Sequence, residues 1–151
     1  MRPTRPTRPT GPILLLAAAV SLGAGVALAA SGDPERARIL DGYAAQAKAQ
    51  TPGFAGFSAE RGRALYLGPH AGGKVADTPG CASCHTRDPA GTGRHYKTGR
   101  DILPMAVSAN PKRFTDPAEV EKRFERDCVN VLGRACTAQE KGDFITFLSN
   151  R

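Results

Sequence analysis

Two cysteines and a histidine, in the order Cys81-Ala82-Ser83-Cys84-His85, form the stretch with the clearest chemical potential. The spacing Cys-x-x-Cys-His predicts covalent attachment of a c-type haem. Two thiols one helical turn apart reach the two vinyl groups of the haem and form thioethers, and the following imidazole becomes the proximal iron ligand. We therefore predict that Cys81 and Cys84 hold one haem c and that His85 ligates its iron.

The same five residues allow two other interpretations. A thioredoxin-like redox site would need a βαβ pattern, and no strand pattern surrounds the motif. A zinc site could recruit Cys128 and Cys136 as further ligands. The beginning of the chain favours the haem interpretation, because it predicts an exported protein.

Residues 1–29 have the pattern of a secretory signal peptide. The basic residues of this segment, which contains no acidic residue, are Arg2, Arg5 and Arg8. An apolar run over 13–30 follows and contains Ala27-Leu28-Ala29, a small-x-small cleavage pattern. We predict a cleaved signal peptide over 1–29, a monohaem cytochrome domain over 30–151 and a periplasmic location. An uncleaved membrane anchor is the alternative, because the run approaches the roughly 20 residues that span a bilayer.

Composition limits the class of partner. The 151 residues carry a formal charge of +7, and removal of the first 29 leaves 18 basic and 14 acidic residues, or +4. This balance is too mild to indicate nucleic acid binding. It fits electrostatic docking with an acidic redox partner.

Helical patterns predict a small all-α fold in which the haem forms much of the core. The predicted helices span 34–50, 59–67, 117–132 and a C-terminal segment opened by a Thr137–Glu140 capping box. The apolar residues of the last helix are Phe144, Ile145, Phe147 and Leu148. Residues 68–80 and 86–101 are Gly-rich and predict loops, in which His70 and His95 are expected to face solvent.

Two residues compete for the sixth iron position. Met105 is the only methionine after the predicted signal peptide, and it could ligate the iron or line the haem. In the segment 102–106 that contains Met105, we expect a backbone carbonyl to accept the Nδ1–H of His85. Asp127 borders the apolar face of the third predicted helix, where a carboxylate needs a partner, either Arg123 or the iron.

The segment RFTDPAEVEKRFERDCVNVLGRACTAQEKGDF, with GGK…DTPGCASCHT ahead of it, resembles the Sphaeroides haem protein family. The likeness runs from about residue 35 to the C-terminus. Family members are monohaem class I c-type cytochromes of the bacterial periplasm, so the resemblance implies a class I cytochrome c fold of about four to five helices. It also implies electron donors such as a dihaem cytochrome c and a membrane cytochrome b.

The family's iron has an unusual sixth ligand. An asparagine beside a disulfide ligates the ferric iron and leaves on reduction, so that small diatomic gases can bind. The resemblance assigns the disulfide to Cys128 and Cys136 and the ligand position to Asp127, so this chain has a carboxylate where the family has an amide. Asn130 lies three residues further on and is a further alternative, and Met105 stands where the family prototype has leucine.

These patterns predict a periplasmic monohaem cytochrome c that carries single electrons and binds O2 or NO when reduced. A plain low-spin carrier with His/Met ligation is the main alternative. A small haem enzyme, such as a peroxidase, is the third. The sequence shows no second haem motif and no distal acid–base pair to support an enzyme.

Overall fold

The computed structural model describes Met1, residues 32–74 and residues 79–151. The predicted signal peptide, its cleavage pattern and the alternative anchor therefore fall, apart from Met1, outside the described residues. In chain order the elements are α1 (Pro34–Gln50), α2 (Ala59–Leu67), α3 (Ala82–His85), β1 (Gly93–Arg94), β2 (Asp101–Ile102), α4 (Pro117–Leu132) and α5 (Ala138–Ser149). The predicted all-α class is confirmed. Among the described residues, no helix has the length and apolar character needed to cross a membrane.

The helices begin and end where the sequence predicts. Asp33 and Asp116 cap α1 and α4 by accepting hydrogen bonds from backbone amides of the first turn. Thr137 opens α5 with a complete capping box. Gly133 ends α4 in the left-handed conformation, with φ of 76°, which glycine adopts without strain.

Helix α5 forms the centre of the core and packs against both α1 and α2. The ring of Phe144 lies between Tyr66 of α2 and Phe124 of α4, with centroid distances of 6.1 and 5.7 Å. Ile145 and Leu148 are fully buried beside them. Helix α2, which precedes the attachment motif, thus packs on the C-terminal helix.

A short antiparallel ribbon interrupts the loop predicted over 86–101. Strands β1 and β2 pair Gly93 with Ile102 and Arg94 with Asp101. Each strand has only two residues, so no alternation of apolar and polar residues was visible in the sequence. The ribbon packs against α3 and so supports the attachment motif.

Candidate haem-attachment site

The attachment motif lies on the single helical turn α3. The amides of Cys84 and His85 both donate to the carbonyl of Cys81, at 3.3 and 3.0 Å. Cys81 and Cys84 are half-buried free thiols. This turn therefore presents two thiols and an imidazole in the order that covalent haem attachment needs.

Tyr66 of α2 anchors the C-terminal end of this turn. Its hydroxyl donates to the carbonyls of His85 and Thr86, at 2.9 and 2.8 Å, and its side chain is completely buried. Thr86 has φ of 64° and ψ of 164°, a conformation that costs a residue other than glycine about 1–3 kcal/mol. The Tyr66 hydroxyl thus stabilises a strained turn directly after the predicted proximal ligand.

Gly93 of β1 allows the ribbon to approach the motif closely. A Cβ atom at this position would lie 2.4 Å from the carbonyl oxygen of Cys84 and 3.0 Å from the Cα of His85. Any larger residue would therefore displace either the ribbon or α3.

His85 is held as a neutral imidazole. Burial, together with the nearby positive charge of Arg113, lowers the pKa of His85 to about 4. Neutral imidazole is the form that binds iron. The Nδ1 atom is buried and has no hydrogen-bond partner among the described residues.

The expected backbone acceptor for His85 Nδ1 is absent from the described residues. In segment 102–106, the Pro104 carbonyl instead accepts a hydrogen bond from the Asn110 side chain at 3.3 Å. The amides of Met105 and Ala106 both donate to the Pro89 carbonyl, at 2.9 and 2.8 Å. These bonds fix the segment against the chain four residues after His85 and occupy the Pro104 carbonyl.

Met105 is buried, with 7% of its surface exposed, and its sulfur accepts a hydrogen bond from the guanidinium of Arg113. The Arg113 charge also acts on His85. The hydrogen bond from its amide to the Pro89 carbonyl places Met105 beside the segment that follows His85.

Helix α4 brings Asp127 to the same site. Burial raises the pKa of the Cys81 thiol, and the negative charge of Asp127 raises it further. The same charge partly offsets the lowering of the His85 pKa. The Asp127 carboxylate is half-exposed and accepts two hydrogen bonds from Arg126, at 2.6 and 3.1 Å. Arg123, the protein partner considered from the sequence, pairs with Glu119 instead.

The end of α4 is covalently fixed. Cys128 and Cys136 form a disulfide with a Cα–Cα distance of 5.7 Å. The carbonyl of Asn130 accepts a hydrogen bond from the amide of Lys74 at 2.9 Å, which ties the loop before the attachment motif to α4. The residues around Asp127 are therefore held from two directions.

Neither spare histidine faces solvent freely, which differs from the prediction. His70 is half-buried and donates from Nε2 to the Leu65 carbonyl at 2.9 Å. His95 is half-buried, stacks on Tyr96 at 5.2 Å and accepts backbone hydrogen bonds at Nδ1. Loops that bend back on themselves provided partners that the sequence does not show.

The two other interpretations of the motif find no support here. The disulfide occupies both thiols that a zinc site would recruit from Cys128 and Cys136. In 32–74 and 79–151 there is no cluster of three His, Cys, Asp or Glu side chains placed to hold a metal ion. No βαβ unit surrounds the motif in that part of the chain.

The residues of the site fit haem c. Cys81 and Cys84 are free thiols, and Cys81 packs against the core cluster that contains Met105. The buried Nδ1 of His85 and the buried Nε of Arg113 have no partner among the described residues. Tyr66 and Arg113 were not identified from the sequence. A tyrosine in the apolar pattern of 59–67 was a signal for Tyr66, because a buried hydroxyl needs a partner; Arg113 had no such signal.

Comparison with known proteins defines the class. A family model described as a domain of unknown function, DUF1924, matches residues 52–148. The cytochrome c-type protein SHP of Cereibacter sphaeroides is 47% identical over 126 residues, which cover 83% of this chain and 90% of that protein. The chain is therefore a monohaem c-type cytochrome with covalently bound haem c. It belongs to the SHP family, as the resemblance predicted.

Solved structures support the same assignment. The structure of oxidised SHP, an oxygen-binding cytochrome c, has a TM-score of 0.69 at 45% identity and covers 77% of this chain and 96% of that one. The solution structure of Methylophilus methylotrophus cytochrome c'', a study of the structural basis of haem-ligand detachment, has a TM-score of 0.67 at 33% identity. It covers 78% of this chain and 94% of that one.

Proposed function

We propose that this protein is a periplasmic single-electron carrier whose sixth iron position opens on reduction and then binds a diatomic gas, O2 or NO. When bound, haem c supplies a one-electron redox centre and an axial position for such a gas. Cys81 and Cys84 hold the cofactor and His85 is the proximal ligand. The observation that carries the proposal is the α3 turn, which presents two free thiols and His85 together. Asp127 lies in α4 directly before Cys128, which the disulfide fixes.

Asp127 is the sixth ligand in this proposal. A carboxylate is a hard oxygen donor and favours ferric over ferrous iron. Arg126 would partner the Asp127 carboxylate whenever iron does not bind it, as it does in this structure at 2.6 and 3.1 Å. The Cys128–Cys136 disulfide keeps Asp127 in place by fixing the end of α4.

Met105 is less well placed for this role. Met105 is tied through its amide to the carbonyl of Pro89, four residues after the proposed proximal ligand. Its sulfur is also engaged by Arg113. Ligation by Met105 would require this contact to break and segment 102–106 to move.

Two relatives support the gas-binding part of the proposal. SHP is described as an oxygen-binding cytochrome c, and cytochrome c'' has been studied for haem-ligand detachment. The periplasmic location is supported by the pattern of 1–29 and by the disulfide, a bond typical of oxidising compartments.

Electron delivery is proposed to come from an acidic redox protein, for which a dihaem cytochrome c or a membrane cytochrome b is the family's implied donor. The ribbon beside the attachment motif carries the exposed residues Lys97 and Arg100. Tyr96 and Leu103 are 53% and 70% exposed next to them. A positively charged surface with apolar contacts suits transient docking.

Docking can be tested by charge reversal. Lys97→Glu should slow reduction by an acidic ferredoxin and weaken the dependence of the rate on salt. Lys48→Glu, in the exposed part of α1, is the matched control and should have a smaller effect. Equal effects of both changes would show that only net charge matters.

Optical spectra of both oxidation states, with and without NO, test the main proposal. We expect the reduced protein to be five-coordinate and high-spin and to bind NO. A reduced protein that stays low-spin and does not bind NO would contradict the proposal and favour a plain electron carrier. Turnover of hydrogen peroxide with an electron donor would instead favour the enzyme alternative.

A further inference from the structure

Arg113 is a half-buried cation that has no anionic partner among the described residues. Its Nε atom is buried and makes no hydrogen bond within 32–74 and 79–151. Its guanidinium donates only to the sulfur of Met105, which is a weak acceptor. No carboxylate of the described residues lies within ion-pair distance of Arg113. A charge in such surroundings is costly unless an anion joins it.

The chain holds Arg113 in this position. Arg36 of α1 is 6% exposed and donates to the Arg113 carbonyl at 3.0 and 2.8 Å and to the Pro111 carbonyl at 2.7 Å. The Arg113 guanidinium lies 5.8 Å from the centroid of the Phe114 ring. These contacts fix both the backbone and the direction of the side chain, so the unpaired Nε is a built feature.

The guanidinium lies at the haem site. It contacts the sulfur of Met105, whose amide donates at 2.9 Å to the carbonyl of Pro89, four residues after His85. The charged groups that act on it from α4 are Arg123, Asp127 and Glu119. Asp127 and Glu119 are each paired with another arginine, Arg126 and Arg123.

We propose that Arg113 binds a propionate carboxylate of the haem. Haem c brings two carboxylates that are not used in its attachment, and a guanidinium can bind a carboxylate through two parallel hydrogen bonds. This contact would satisfy the unpaired Nε and would neutralise the charges of the guanidinium and the propionate. The proposal requires the haem c of this family but not gas binding or ligation by Asp127.

The test compares two arginines that lose the same charge. Arg113→Gln removes the proposed anion site, whereas Arg123→Gln removes a charge that also acts on His85 but is 54% exposed and paired with Glu119. The midpoint potential of each haem-loaded variant is measured between about pH 5 and 9. Both changes should lower the potential, because a cation near the haem favours the reduced form.

Only Arg113→Gln should add a new step to the curve of midpoint potential against pH. An unpaired propionate in this site would have a raised pKa and would take up a proton when the haem is reduced. Arg113→Lys keeps the charge but loses the two parallel hydrogen bonds, and its step should be smaller. If the midpoint potentials of Arg113→Gln and Arg123→Gln differ by the same amount at every pH, the proposal is overturned.

A structure of the haem-loaded wild-type protein provides a second test if Arg113→Gln does not retain haem. A propionate oxygen within about 3.2 Å of the Arg113 guanidinium supports the proposal. A guanidinium that contacts only Met105 rejects it. Both outcomes are independent of the gas-binding spectra, so failure of this inference would not be confused with failure of the proposed function.

Discussion

Tyr66→Phe is the most informative single change at the attachment motif. It removes one hydroxyl that is completely buried and that donates to two carbonyls, those of His85 and Thr86. Removing the donor to these part-buried carbonyls costs about 1–3 kcal/mol. Because the same hydroxyl stabilises the strained Thr86 backbone, we expect a loss of about 2 kcal/mol in the free energy of unfolding.

Tyr43→Phe is the matched control. The Tyr43 hydroxyl donates to a carboxylate oxygen of Glu121 at 2.7 Å, a part-buried contact between α1 and α4 that does not involve the motif. Glu121 keeps its contact with Lys141 after this change. We therefore expect a loss of about 1 kcal/mol and an unchanged haem spectrum.

The assay is denaturant unfolding of the ferric protein, followed by its optical spectrum and midpoint potential. Tyr66→Phe should alter the spectrum or the potential, because the backbone carbonyl of the proximal ligand loses its anchor. A loss below about 0.5 kcal/mol together with a wild-type spectrum would refute the role assigned to Tyr66.

Three further changes test other parts of the structure. Cys136→Ser should reduce the free energy of unfolding by about 2–3 kcal/mol, measured without reductant, because it opens the disulfide-closed loop. Gly93→Ala should lower the yield of haem-loaded protein, whereas Gly42→Ala, where a Cβ meets nothing within 4 Å, should stabilise α1 by up to about 1 kcal/mol. Glu140→Gln should cost about 0.5 kcal/mol at pH 7. The hydrogen bond from Arg134 lowers the pKa of Glu140, so this difference should be complete above the ordinary value of 4.5 and vanish as acid protonates the folded carboxylate. A difference that persists at pH 2 would contradict the last expectation.

Local sequence features predicted the helices well. Capping residues such as Asp33 and Thr137 act within one turn, and the stop at Gly133 depends on a conformation that glycine favours. The attachment motif was equally clear, because its chemistry needs five consecutive residues. These features depend on neighbours in the chain, which a sequence displays directly.

Contacts between distant residues were not visible in the sequence. The Tyr66 side chain donates to backbone carbonyls 19 and 20 residues away. The Arg36 side chain donates to the backbone carbonyl of Arg113, 77 residues away. The choice of Arg126 over Arg123 as the partner of Asp127 depends on side-chain geometry in α4. The β1–β2 ribbon depends on its packing against α3, because four residues carry no strand pattern.

The sixth ligand is the central claim, and paired substitutions test it most directly. Ferric and ferrous spectra of the haem-loaded Asp127→Ala and Met105→Ala variants should be recorded beside the wild type. We expect Asp127→Ala to change the ferric spectrum and Met105→Ala to leave the iron coordination unchanged. An unchanged ferric spectrum in Asp127→Ala, with conversion from low-spin to high-spin iron in Met105→Ala, would contradict this account.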